Sequence, residues 1–151
     1  MTARVPLDTE LGHATSLMAR HPQLRYAAGL GWLSWNGARW APNAEPELTA
    51  AVHAAAIAYH AIAPGPFANA LCSRKGLDDV AEICRDVPGT SVDPSALDSC
   101  QGLLHTAGVT WDMRTGTAWP SDRNELSTRA TTSEPAETVE EDKPARRRAR
   151  R

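Results

Sequence analysis

The sequence predicts a small α+β domain on three observations. Two short strand-turn-strand patterns rich in tryptophan stand at residues 31–40 and 109–119. Stretches before and between them repeat apolar residues at helical spacing, and all such patterning stops near residue 131. At 151 residues the chain has room for one domain around one apolar core.

Taken in order, Asp8 or Thr9 caps a first helix that runs to about residue 21, with Leu11, Ala14, Leu17 and Met18 as its apolar stripe. Pro22 ends it. The first hairpin turns at Asn36-Gly37, a pair that accepts the positive φ such turns demand. That register sets Trp35 opposite Ala38 and Leu33 opposite Trp40. Leu33, Trp35, Ala38 and Trp40 then form a core face, and Trp32, Ser34 and Arg39 a half-wet one.

Glu45-Pro46-Glu47 opens a long helix in which Leu48, Val52, Ala55, Tyr59 and Ile62 recur at three- and four-residue steps, and Pro64-Gly65-Pro66 stops it. Residues 67–73 add a helical turn or two. Leu77, Val80, Ala81 and Cys84 mark another helix ending before Pro88-Gly89, and Asp93-Pro94 caps a short turn. In the second hairpin Arg114-Thr115-Gly116 is a three-residue loop with glycine in the left-handed position, which sets Trp111 opposite Trp119. Val109, Trp111, Met113, Thr117 and Trp119 share one face there, and Thr110, Asp112 and Ala118 the other.

Residues 132–151 differ in kind. They hold no aromatic residue and one branched aliphatic, Val139, too little apolar surface to offset ordering. Five acids (Glu134, Glu137, Glu140, Glu141, Asp142) precede Lys143, Arg146, Arg147, Arg148, Arg150 and Arg151. The expected organisation is a folded body, 1–131, and a disordered acidic-then-basic tail, 132–151. The body carries 10 basic and 13 acidic side chains, so dense positive charge is confined to the tail.

With 16 basic against 18 acidic residues overall, the chain is not the strongly basic type that coats nucleic acid. Its longest apolar-rich stretch, 50–63, is broken by His53 and His60 and is far shorter than the roughly 20 residues that span a bilayer. Asp8, Glu10 and His13 occupy the place of a secretory apolar region. A cytoplasmic protein with no membrane partner is expected, with Cys72, Cys84 and Cys100 reduced.

Catalytic signatures are lacking. No phosphate loop, zinc-protease helix, paired-cysteine motif, nucleophile elbow or dinucleotide fingerprint occurs in the sequence. His53 and His60 lie two helical turns apart, too far for one zinc ion, and Cys72, Cys84, Cys100 and His105 have no zinc-site spacing. Asp78, Asp79, Glu82, Asp93 and Asp98 are the acids that helix starts favour without a metal. Neither a cofactor nor a catalytic residue is expected. The candidates for touching nucleic acid are Arg25, Arg39, Arg74, Lys75 and Arg114 in the body, Trp32 as an exposed stacking ring, and Arg146, Arg147, Arg148, Arg150 and Arg151 in the tail.

Leu11-Gly12-His13-Ala14, Leu24-Arg25-Tyr26 and the run from Gly31 to Trp40 resemble the opening of the N-terminal domain that precedes superfamily 3 helicases in phage and plasmid primases, a poxvirus-primase-like domain. Val92-Asp93-Pro94, Leu97-Asp98, Ala107-Gly108-Val109, Asp112-Met113-Arg114-Thr115-Gly116 and Thr128 resemble its end, with Met113 where the family commonly has leucine and Asn36 where it often has aspartate. The likeness covers residues 8–131. The family's ATPase domain is not in this sequence, and its chemistry is not carried over. The resemblance implies a noncatalytic replication accessory module of phage or prophage origin, with DNA, or a superfamily 3 helicase or primase subunit, as partner. The rival expectations are a regulatory protein that binds another protein and never DNA, and a decayed prophage gene fragment.

Overall fold

The computed structural model describes residues 5–132. The tail expected at 132–151, with its arginine run, lies outside the described residues apart from Thr132. The first helix, α1 (Glu10–Arg20), begins where Thr9 Oγ1 accepts the Gly12 N–H at 3.0 Å. Its buried stripe is His13, Ala14, Leu17 and Met18. Leu11, expected on that stripe, is 50% exposed, because the helix turns His13 inward instead.

After α1 come β1 (Leu24–Ala27), β2 (Gly31–Trp35) and β3 (Trp40–Ala41). Three helices follow: α2 (Glu45–Ile62), α3 (Pro66–Leu71) and α4 (Arg74–Cys84). They carry the chain over the sheet to β4 (Ser91–Val92), which pairs in parallel with β1, giving the order β3-β2-β1-β4. Asp93 then caps a single 3-10 turn at Pro94–Ala96. A second sheet, β5 (Leu103–His105), β6 (Val109–Asp112) and β7 (Ala118–Pro120), is an antiparallel meander in that order. The α+β class holds, but each expected hairpin is part of a larger sheet.

The first hairpin slips by two residues from its expected pairing and the second by one. In the first, Trp35 faces Trp40 and Ser34 faces Ala41, so the turn centre moves from Asn36-Gly37 to Gly37-Ala38. The cause is the Asn36 side chain. Its Oδ1 accepts the N–H groups of Ala38 and Arg39, both at 3.0 Å, closing an Asx turn one residue further on, while Gly37 alone takes positive φ (+96°). In the second, Trp111 faces Ala118 and Trp119 faces Thr110. Asp112 Oδ1 accepts the Arg114 N–H at 2.8 Å, which also holds its carboxyl below the usual carboxylate range, and this draws Met113 into a four-residue loop. Gly116 keeps the left-handed position at its end (φ +71°).

Helices α1, α2 and α4 cover one face of the first sheet. Leu17, Leu24, Trp32, Leu48, Val52, Val80 and Cys84 are buried together there, with Tyr26 and Tyr59 at the margin. Trp32 is 5% exposed. The half-wet face expected for it is therefore the main core, because the parallel β1–β4 crossover lays helices over that side. On the opposite face Ala27, Leu33 and Trp40 form a smaller cluster with Trp35, Val92 and Leu97. Ile62, expected on the buried face of α2, is 82% exposed at its last turn.

Candidate nucleic-acid interface

The segment from Ser121 to Thr131 ties the two sheets together, and it does so with polar groups. Asp122 Oδ1 caps a 3-10 turn, Arg123–Glu125, by accepting the Asn124 N–H at 2.9 Å. On the side of the first sheet, Trp40 donates its backbone N–H to Ser127 O at 2.7 Å and its indole N–H to Arg123 O at 2.8 Å. On the side of the second, Thr131 donates its N–H to His105 O at 2.8 Å. Asp98 accepts both the N–H (2.7 Å) and the hydroxyl of Thr128.

Under this strap lies a sheltered cluster. Glu125 Oε1 accepts the Trp119 indole N–H at 2.5 Å, and its Oε2 accepts the Thr110 hydroxyl at 2.7 Å. His105 Nδ1 stands 3.1 Å from Thr110 Oγ1 and 3.3 Å from Glu125 Oε2. Because Thr110 spends its hydroxyl hydrogen on the carboxylate, it can only accept from the imidazole, and Nδ1 therefore carries the proton. Thr110 is wholly buried and His105 is 8% exposed. Such a satisfied network fixes one arrangement of the strap against the sheet.

The strap also gathers arginines. Arg25, on β1, donates to Gly89 O at 2.5 Å and lies over the Trp40 ring at 5.8 Å. Burial lowers its pKa from the usual guanidinium value, and the nearby charge of Arg123 lowers it further. Arg39 donates to Thr128 O at 3.1 Å, next to Arg129 in the chain. Two of the expected residues thus meet two that the sequence did not single out, Arg123 and Arg129, both exposed. The sequence signal for Arg123 is only the Asp122 cap before it, and nothing local shows that the turn lies across Trp40.

The other candidates lie elsewhere. Arg74 and Lys75 open α4, where Arg74 pairs with Asp78 at 3.7 Å and Lys75 with Asp79 at 2.5 Å, a bond that raises the Lys75 pKa. Arg114, at the β6–β7 loop, lies 3.6 Å from Asp112. Trp32, expected as an exposed ring, is only 5% exposed. Arg146, Arg147, Arg148, Arg150 and Arg151 fall outside the described residues.

Among the described residues no three His, Cys, Asp or Glu side chains come together as a metal site, and no helix is long and apolar enough to cross a membrane. Cys72 and Cys100 are exposed and Cys84 is buried, all free thiols. A search of curated proteins finds no match. A family model described as D5 N terminal like matches residues 14–148, from within α1 to beyond the last described residue.

Proposed function

The chain belongs to the D5 N-terminal-like family, the primase-helicase N-terminal domains that its sequence resembles, and from that membership we propose a noncatalytic DNA-replication accessory module that binds nucleic acid or joins a helicase-primase partner. The family match carries the reading. The strap supports it by bringing Arg123 near Arg25 and setting Arg129 next to the Thr128 whose carbonyl Arg39 reaches, with Arg123 and Arg129 open to phosphates. The absence of catalytic motifs from these 151 residues supports a role in binding and assembly.

Fluorescence anisotropy with labelled single-stranded and duplex DNA tests the reading. Binding should weaken with salt by roughly 0.7–0.9 log units per log unit of salt for each phosphate neutralised. Truncation after Thr131 removes six basic residues and should flatten the slope.

A protein-binding role that never touches DNA is the second reading, and one observation favours it. Residues 48–73 contain no charged side chain, and α2 leaves Ile57 (67%) and Ile62 (82%) exposed. No binding of the intact chain to either DNA at low salt, and none to a superfamily 3 helicase or a primase subunit, would select it.

A further inference from the structure

Between β5 and the strap the surface opens into a cleft of about 400 Å³, within the ~300–1,000 Å³ range of small-molecule sites. Leu103, Leu104 and Ala130 give it apolar walls, and His105, Glu125 and Arg129 give it polar groups. His105 is more than nine-tenths buried, and its Nδ1 is committed to Thr110 and Glu125. Among the described residues its Nε2 has no hydrogen-bond partner, yet it is not sealed from solvent as His13 Nε2 is. With the proton held on Nδ1, Nε2 meets the cleft as a lone-pair acceptor.

The rim adds a cation. Arg74, Lys75, Arg85 and Arg114 each face a carboxylate, whereas the guanidinium of Arg129 has no partner among the described residues. Asp98, also at the cleft, has its carboxylate engaged by Thr128. The lining calls for a ligand with a largely apolar body, an N–H directed inward and an anion directed outward.

We infer that the cleft takes an unpaired nucleotide, its base between the apolar walls with an N–H of the Watson–Crick edge donated to His105 Nε2, and its phosphate facing Arg129. This rests on the DNA-binding reading and makes it specific for single strands. In a duplex the inward-facing edge is already paired and the base is stacked between its neighbours, so entry requires unstacking.

Cys100 lines the same cleft, and exposed Cys72 lies apart from it at the C-cap of α3, so alkylation rates report the site with an internal reference. With N-ethylmaleimide and mass spectrometry, saturating dAMP or a short single-stranded oligonucleotide should slow Cys100 alkylation at least several-fold and leave Cys72 unchanged, while duplex DNA of the same sequence protects far less. His105→Asn keeps an N–H towards Thr110 and deletes the cleft acceptor; it should abolish the protection. Arg129→Ser, at an exposed position, should weaken protection by dAMP about tenfold and by adenosine very little. Cys100 alkylated at an unchanged rate while anisotropy shows the oligonucleotide bound overturns the cleft assignment and leaves the DNA reading standing. No protection together with no anisotropy change at low salt overturns both.

Discussion

The first sheet buries Leu24 and Trp32 against Leu17, Leu48, Val52 and Val80 from three helices, whereas the meander of β5 to β7 buries His105, Thr106 and Thr110 and is closed by Glu125 and Ser127. Among the described residues, none after Leu97 belongs to a buried apolar cluster. One half is held by the removal of apolar surface from water, which is non-directional and proportional to area. The other is held by hydrogen bonds whose loss strands polar groups out of water. The halves should therefore fail differently when cut.

The sharpest cut is Glu125→Ala. It leaves the Trp119 indole, the Thr110 hydroxyl and the His105 imidazole without the carboxylate all three face, and since a buried donor left unpaired costs about 1–3 kcal/mol, the loss should be about 3–5 kcal/mol. Urea unfolding followed by hydrogen exchange is the measurement. Amides of β5–β7 and of the strap should lose protection while those of α1 and α4 keep theirs. Uniform loss across the molecule would mean that the halves are one cooperative unit and that the contrast is only one of composition.

Leu17→Ala makes the complementary cut. Leu17 is 1% exposed at the centre of the helical core, and its truncation should cost about 3 kcal/mol through lost transfer energy and the cavity left behind. Here exchange should quicken in the helices and the first sheet together. If the meander instead opened first, its polar network would depend on the apolar half for support.

The same division explains what the sequence revealed. Helices α1, α2 and α4 were legible because apolar spacing and caps, Thr9 and Pro46 among them, state both face and start. Strands β1, β4 and β5 were not foreseen. They have two to four residues each, too few for an alternation to register. On β6 the alternation of Val109, Trp111 and Met113 marked an apolar face, yet wholly buried Thr110 lies on the other, because in this sheet the inward side is built by hydrogen bonding. The candidate site shares the difficulty. Arg25 and Arg39 were visible as basic residues near aromatics, but Arg123, Arg129, His105 and Glu125 meet only through contacts that the strap makes from far along the chain.

The turn at Gly37 separates backbone from packing. At φ +96° an added Cβ meets no heavy atom within 4 Å, so the cost of Gly37→Val is set by the left-handed backbone, about 1–2 kcal/mol. A thermal melt should show a modest fall in midpoint with the slope of the transition preserved. An unchanged midpoint would show that the Asn36 Asx turn, rather than the glycine, sets the register that pairs Trp35 with Trp40.

The smallest effect comes from the histidine buried in the apolar half. His13 is 6% exposed, edge-on to Tyr59 at 4.6 Å between ring centres and 5.9 Å from Phe67, and among the described residues its Nε2 has no hydrogen-bond partner. Burial lowers its pKa below 6.5, Arg20 lowers it further, and Glu10 opposes them. Between that lowered value and 6.5 the unfolded chain holds a proton that the folded chain lacks, so folding stability rises with pH across this window. On acidification the stability due to neutral His13 should begin to fall near pH 6.5 and level off once the folded imidazole is also protonated. Urea midpoints from pH 8 to pH 5 should show this decline, and His13→Phe should flatten it whatever it does to the level. A decline that persists unchanged in His13→Phe would move the acid sensitivity out of the apolar half, and the contrast between the two halves would then have to be drawn without its histidine.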